Sequence, residues 1–148
     1  MNKIIYESPI GKIMITENDA RIVEIELCNK VVEGLSASPL LLEAKRQLEE
    51  YFRGKRRTFD LPLHPSGTEF QVKVWNELLK IPYGETRTYG EVSKNIGNPK
   101  GARSVGGACN KNPLMIVIPC HRVIGANGSL VGFGGGIKVK EELLKLES

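Results

Sequence analysis

Alternating apolar and polar positions dominate the first thirty residues and predict β-strands. Three β-branched runs, KIIYES, KIMITE and RIVEIELC, are separated by turn residues at 9–11 and 18–20. This alternation with a period of two is typical of antiparallel strands joined by tight turns. The spacing then becomes helical, with Ser38 as N-cap, Pro39 in the first helical position and Gly54 at the end. The N-terminal part is therefore predicted to be a three-stranded antiparallel sheet with one helix.

A polar stretch with two prolines, RGKRRTFDLPLHPSG, follows this helix and predicts a connector. We expect the boundary near residue 60, with an N-terminal α/β domain and connector over 1–60 and a C-terminal domain over 61–148.

Helix start signals organise the C-terminal part. TEFQ from Thr68 and TYGE from Thr88 are capping boxes, in which two side chains satisfy backbone N–H groups that have no partner within the helix. A third start is predicted at Asn98, with Pro99 in the first helical position. The two short helices predicted to begin at Thr88 and Asn98, with the turn between them, have the layout of a helix-turn-helix.

The second helix of this motif, predicted over KGARSVGGACNK, contains two adjacent glycines. Gly106 and Gly107 each cost about 1 kcal/mol relative to alanine in a helix interior. Small side chains allow close approach to another surface, which is either a neighbouring helix or a nucleic-acid backbone. Basic residues at both ends of the helix favour nucleic acid.

The run LMIVIP predicts a buried strand that ends at Pro119, and KVKEELLKLES predicts a C-terminal helix. On a continuing strand, Cys120 and His121 would point to opposite faces. A bend at Pro119 lets the imidazole approach the thiol and take its proton, with Arg122 helping to stabilise an ionised, accessible sulfur. The alternative is a buried structural cysteine.

Charge is distributed unevenly along the chain. Residues 1–54 hold seven Lys/Arg and nine Asp/Glu, whereas residues 55–148 hold fourteen and eight. Between residues 86 and 122 there are six basic residues and one acidic residue, Glu91. This segment suits a polyanionic partner, and a solubilising surface is the alternative.

Several classes of protein are excluded by composition. The sequence has no apolar run of about 20 residues and no signal peptide, so we expect a soluble cytoplasmic protein without a membrane partner. Three scattered cysteines, Cys28, Cys109 and Cys120, indicate reduced thiols. With only His64 and His121 available, we expect no zinc site and no cofactor.

The segment PCHRV, preceded by GNPKGARSVGGACNKNP and followed by a glycine run at 134–136, resembles the O6-alkylguanine-DNA alkyltransferases. The match is dense over residues 68–147, whereas residues 1–55 agree mainly in predicted architecture. The resemblance implies an α+β fold. It would combine a small three-stranded antiparallel sheet with a helix, ribonuclease H-like, and a mainly helical, winged-helix-like domain containing the helix-turn-helix.

The resemblance also implies roles for individual residues. Cys120 matches the alkyl acceptor, His121 the base that deprotonates it through a bound water, and Glu147 the carboxylate that orients the histidine. Tyr89 would rotate a target phosphate and donate a hydrogen bond toward guanine N3. Arg103 would fill the gap left by the extruded nucleotide.

Further positions are assigned by the same resemblance. Asn112 would link the helix-turn-helix to the active-site strand. The second helix would enter the minor groove of double-stranded DNA. The expected DNA contacts are Tyr89, Lys100, Ala102, Arg103, Ser104, Gly106 and Arg122. The expected substrate pocket is Val123, Phe133 and Gly134, and at Gly134 some relatives have a serine.

The implied activity is irreversible transfer of the alkyl group of O6-alkylguanine to Cys120 after base flipping, with O4-alkylthymine as an alternative substrate. A thioether has no easy hydrolytic exit, so each molecule, expected to be a monomer, acts once. Three alternatives stay open at this point: a lesion-binding protein without transfer, a helix-turn-helix regulator and a Cys-His hydrolase.

Overall fold

The structure is a computed structural model that describes residues 1–130, 133 and 136–148. The chain forms two compact units, Met1–Ser66 and Gly67–Ser148, each with its own core. Within the described ranges, no helix combines the length and the apolar character needed to cross a bilayer.

The first unit is an antiparallel sheet covered by one helix, as predicted. Strands β1 (Asn2–Ser8), β2 (Gly11–Asn18) and β3 (Arg21–Leu27) pair in sequence order. Helix α1 (Pro39–Phe52) packs its buried face on the sheet. The Ser38 hydroxyl accepts a hydrogen bond from Leu41 N–H at 3.2 Å, which confirms the predicted N-cap.

The first unit extends to Ser66 rather than ending near residue 60. The reason is that the connector pairs with β3. Ile22 N–H donates to Pro62 O at 2.8 Å, and His64 N–H donates to Ile22 O at 2.9 Å.

The second unit is mainly helical, and its described residues form four helices and a short parallel strand pair. Its elements are α2 (Glu69–Leu78), β4 (Arg87–Thr88), α3 (Tyr89–Asn95), α4 (Ala102–Asn110), the 3₁₀ turn Cys120–Arg122, β5 (Val123–Ile124) and α5 (Ile137–Leu146). Both predicted capping boxes, at Thr68 and Thr88, are present. Strands β4 and β5 bring the start of α3 beside the residues that follow the 3₁₀ turn.

The third helix start was predicted wrongly. Helix α4 begins at Ala102 after Gly101, and neither Asn98 nor Pro99 belongs to it. The intervening turn is instead held by the buried Ser93, whose hydroxyl donates to Asn98 O and accepts from Gly101 N–H. The helix-turn-helix is thus α3, a turn and α4.

The predicted strand LMIVIP is also wrong, because Leu114 makes only an isolated bridge and residues 115–118 form a buried turn and bend. Ile118 N–H donates to Leu114 O at 2.9 Å, and Ile116 has a φ of 72°. Asn112 holds the segment at both ends, accepting from Leu114 N–H at 2.9 Å and donating to Ile118 O at 2.8 Å. A short apolar run that is buried on all sides carries no periodicity with which to distinguish turns from a strand.

Candidate active site

The chain bends at Pro119, as predicted, and places three consecutive buried side chains in a 3₁₀ turn. Cys120 N–H donates to Ile118 O at 2.8 Å, and Arg122 N–H donates to Pro119 O at 3.0 Å. Because the turn replaces the alternation of a strand, Cys120, His121 and Arg122 all lie inside the second unit.

His121 and Glu147 form a buried pair, with His121 Nε2 2.7 Å from Glu147 Oε2. An ionised carboxylate only accepts hydrogen bonds, so Nε2 carries the imidazole proton and Nδ1 carries the lone pair. Within the described part of the chain, Nδ1 is buried and has no hydrogen-bond partner. This nitrogen therefore has a lone pair that can accept a proton.

Arg122 holds the same carboxylate from the other side. Its Nε donates to Glu147 Oε1 at 2.8 Å and its Nη2 donates to Oε2 at 3.1 Å, while Nη1 donates to Ile81 O at 2.8 Å. The residue is only 6% exposed. The expectation that Arg122 contacts DNA is therefore wrong, because its guanidinium is used inside the protein to position Glu147.

Burial lowers the pKa of His121, although the hydrogen bond and charge of Glu147 partly oppose the shift. Arg122 already balances the charge of Glu147, so an imidazolium would add a buried positive charge without compensation. The imidazole is consequently neutral near pH 7 and able to act as a base.

The Cys120 thiol is 5% exposed, and its burial raises its pKa. The Asn112 amide and the Lys140 ammonium oppose this increase without reversing it. The expectation of an ionised, accessible sulfur is therefore wrong for the resting protein. Cys120 is held as a thiol, which makes a neighbouring base necessary for nucleophilic attack.

Tyr89 begins α3 and lies beside a buried lysine. Lys140 Nζ donates to Tyr89 Oη at 3.3 Å, and Lys140 itself is 0% exposed. Burial, followed by the nearby Cys109 and Cys120, raises the pKa of Tyr89 to about 12. Sequence reasoning missed Lys140 because a charged residue in an amphipathic helix is ordinarily solvated. Its spacing from the buried Leu143 and Glu147 was the available signal, since residues three and four apart share a helix face.

Helix α4 presents the expected DNA-contacting side chains on the surface. Arg103, Ser104 and the preceding Lys100 are exposed, and Ala102 and Gly106 are half-buried. An open depression of about 560 Å³ is lined by Tyr89, Gly90, Ala102, Arg103, Gly106, Gly107, Asn110 and Ala126.

The glycines of α4 are not explained by packing within the protein. A Cβ built at Gly107 meets no heavy atom within 4 Å among the described residues outside the backbone of α4. At Gly106 the nearest contact is a Tyr89 ring atom at 3.9 Å, an ordinary van der Waals distance. Packing against the described residues therefore does not require these two glycines, and their small size would permit close approach of another surface.

Of the predicted pocket residues, Val123 is buried in β5 and Phe133 is half-buried. Gly134 lies outside the described residues. Cys109, the second buried thiol of this unit, has a pKa of about 12 because burial raises it.

Two family models together cover almost the whole chain. The model described as 6-O-methylguanine DNA methyltransferase, ribonuclease-like domain, matches residues 1–65, and the DNA binding domain of the same name matches residues 69–148. The chain belongs to the 6-O-methylguanine DNA methyltransferase family. The resemblance inferred from PCHRV and its flanking segments is confirmed, and so is the α+β fold class.

Relatives in this family match over nearly the full chain. The methylated-DNA–protein-cysteine methyltransferase of Methanosarcina acetivorans is 53% identical, with 97% of this chain and 96% of the relative covered. The constitutive enzyme of Bacillus subtilis is 44% identical, with coverages of 95% and 92%. The structure of Mycobacterium tuberculosis OGT in complex with DNA has a TM-score of 0.90 at 43% identity, covering 99% of this chain and 92% of that one.

Proposed function

We propose that the protein repairs DNA by transferring the alkyl group from O6 of an alkylated guanine to Sγ of its own Cys120. The observation that carries the proposal is the buried pair of Glu147 and His121, which follows Cys120 directly in the 3₁₀ turn and has an imidazole lone pair on the side away from the carboxylate. Membership of the methyltransferase family supplies the substrate class.

The chemistry begins with the neutral imidazole. Nδ1 of His121 takes the thiol proton through a bound water, and Glu147 stabilises the imidazolium that results. The thiolate attacks the alkyl carbon in line, so that an S–C bond forms as the C–O bond breaks. The Tyr89 hydroxyl donates its proton toward guanine N3, which makes the base a better leaving group. The thioether product is stable, and each molecule acts once.

An O6-alkyl group inside a duplex is inaccessible to a buried thiol, so the nucleotide is flipped out at a cost of a few kcal/mol. In our proposal α4 enters the minor groove, and the exposed Arg103 occupies the gap in the base stack. One chain carries all of these groups, so a monomer suffices. The cytoplasm, where thiols stay reduced, is the compartment that we propose.

The test is intact-mass measurement after mixing with duplex DNA containing O6-methylguanine. We expect a gain of one methyl group per protein, located on Cys120 by peptide mapping. Cys120→Ser is expected to bind the DNA without gaining mass, whereas the matched control Cys109→Ser is expected to react fully. A mass gain in Cys120→Ser would assign the acceptor to another thiol, and no gain in the wild type would favour a lesion-binding protein.

The same reaction mixture separates the remaining alternatives. Alkyl transfer gives a burst equal to the protein concentration and then stops, whereas a hydrolase continues to turn over. A sequence-specific regulator prefers one undamaged site strongly, whereas repair requires nearly sequence-independent binding that weakens steeply with salt.

A further inference from the structure

The outer edge of β1 carries backbone groups that the sheet does not use. Ser8 closes the tight turn into β2, so the even-numbered residues of β1 point their N–H and C=O groups toward β2. The odd-numbered residues point theirs outward, and Ser36 N–H accordingly donates to Lys3 O at 3.0 Å. Within the described ranges, the outward N–H and C=O groups of Ile5 and Glu7 have no hydrogen-bond partner. Such an edge is a template for pairing with another strand.

An open groove of about 970 Å³ lies beside this edge, entirely within the first unit. It is lined by β1, by the segment 30–35 and by the C-terminal half of α1. Tyr6 and Phe52, whose ring centres lie 6.2 Å apart, supply aromatic surface, and Val31 and Leu35 are 96% and 50% exposed. Peptides that add a strand to a sheet use this combination, because the edge gives affinity and adjacent pockets accept alternate side chains.

The charges of the groove favour an acidic partner. Four basic and two acidic residues line it: Lys12, Lys30, Lys45, Arg53, Glu7 and Glu49. Both glutamates are paired, Glu7 with Lys12 at 4.0 Å and Glu49 with Arg53 at 3.9 Å. Among the residues that the structure describes, Lys30 and Lys45 have no ion-pair partner. Carboxylates of a bound chain would complement these two ammonium groups.

We propose that the first unit docks an extended acidic peptide of another protein, which adds a fourth strand to the sheet at β1. The peptide backbone pairs with the outward groups of Ile5 and Glu7. Its alternate apolar side chains enter the groove beside Phe52, and its carboxylates lie near Lys30 and Lys45. This binding is separate from alkyl transfer, because every residue that it uses belongs to the first unit.

Two other occupants fit the same observations less well. Phosphate oxygens of a nucleic acid would satisfy the lysines, but they only accept hydrogen bonds, whereas the outward C=O groups of Ile5 and Glu7 need donors. A second copy related by a two-fold axis would bring the unpaired Lys30 and Lys45 of both copies to the same interface, where like charges repel.

Fluorescence anisotropy with the full chain tests the proposal. The probe is a short fluorescein-labelled peptide in which valine and glutamate alternate, and we expect saturable binding that weakens with salt. The matched peptide in which valine and lysine alternate is expected to bind at least about 10-fold more weakly. Failure of the acidic peptide to bind, or equal binding of both peptides, would overturn the proposal.

Glu7→Pro tests the strand edge. Proline removes the outward N–H and leaves the bonds between β1 and β2 in place, so peptide affinity is expected to fall by about 10-fold or more. Glu7→Gln, the matched control, removes the charge but keeps the N–H and is expected to bind at least as tightly as the wild type. Equal affinities for the two variants would contradict strand pairing.

The double variant Lys30→Glu/Lys45→Glu tests the charges and replaces Glu7→Pro if the proline variant does not fold. It is expected to prefer the lysine-containing peptide, whereas Lys55→Glu, at an exposed position outside the groove, is expected to keep the wild-type preference. If the double variant instead lost duplex DNA binding as strongly as peptide binding, the groove would be a nucleic-acid surface and the proposal would be wrong.

Hydrogen exchange locates the bound peptide. Exchange of the Ile5 and Glu7 amides is expected to slow by about 10-fold or more in the complex, while the Ile4 and Tyr6 amides, already bonded to β2, change little. Protection confined to the second unit would refute docking at β1. Sedimentation without peptide is expected to show a monomer, and a dimer that Glu7→Pro dissociates would assign this edge to a second copy instead.

Discussion

Trp75 and Ala108 lie 33 residues apart and are joined by a hydrogen bond of 2.9 Å from the indole N–H to the backbone oxygen. Trp75 is 1% exposed and belongs to α2, whereas Ala108 belongs to α4. The bond therefore fixes the helix that presents Arg103 to the helix that begins the second unit.

Trp75→Phe is expected to destabilise the protein by about 1–2 kcal/mol, because the ring volume is largely kept but the indole bond is lost. Ala108 O would retain the bond from Lys111 N–H at 3.2 Å. Urea unfolding monitored by circular dichroism measures the change. An unaltered midpoint would show that the hydrogen bond makes no net contribution.

The sequence predictions were correct where the structure depends on interactions between neighbouring residues, and wrong where it depends on contacts between residues farther apart in the chain. The caps at Ser38, Thr68 and Thr88 are local, and all three were predicted correctly. The turn before α4 depends on Ser93, a residue with no distinctive pattern, and the buried turn at 115–118 depends on the two bonds of Asn112. These tertiary arrangements leave no periodic signal in the sequence.

The same distinction holds for the site. The resemblance identified Cys120, His121 and Glu147, and the structure brings His121 and Glu147 together. The resemblance gave no indication that Arg122 turns inward to Glu147 or that Lys140 is completely buried. Whether a charged side chain is solvated or enclosed depends on what packs against it, which a single sequence does not encode locally.

Gly107→Ala is expected to stabilise the fold and weaken DNA binding. Alanine gains about 1 kcal/mol in a helix interior, and the added Cβ meets no heavy atom within 4 Å among the described residues outside the backbone of α4. The same methyl group would obstruct close approach of a nucleic-acid backbone. Thermal unfolding and fluorescence anisotropy with duplex DNA measure the two effects.

The matched control for Gly107→Ala is Asn76→Ala, at an exposed position of α2. It is expected to raise stability through helix propensity alone, with DNA affinity unchanged. If Gly107→Ala also binds DNA normally, the α4 glycines serve neither packing nor close approach.

Glu147→Gln is expected to slow methyl transfer by about 100-fold or more while leaving DNA affinity unchanged. The glutamine amide can donate to His121 Nε2, which moves the imidazole proton to Nδ1 and removes the lone pair that the reaction needs. Glu141→Gln, at an exposed position of α5, the helix that Glu147 follows, is the matched control. Single-turnover kinetics that are equal for the two variants would contradict the assigned tautomer.

The buried neutral imidazole of His121 makes stability depend on pH. Its pKa is lowered by burial, so below about pH 6.5 the unfolded chain binds a proton that the folded chain does not. The contribution of the neutral imidazole to the free energy of unfolding is therefore fully present above about pH 6.5. It decreases as pH falls through the pKa of His121 in the folded protein, by up to about 1.4 kcal/mol per pH unit.

His121→Gln removes this titration and keeps a donor for Glu147, so its free energy of unfolding is expected to vary less between about pH 5 and 7 than that of the wild type. Urea unfolding across this range measures the difference, and His64→Gln, at an exposed position, controls for the other histidine. Arg122 already compensates the charge of Glu147. If the free energy of unfolding instead increased as pH falls, His121 would be an imidazolium in the folded protein. The imidazole could not then act as the base for Cys120.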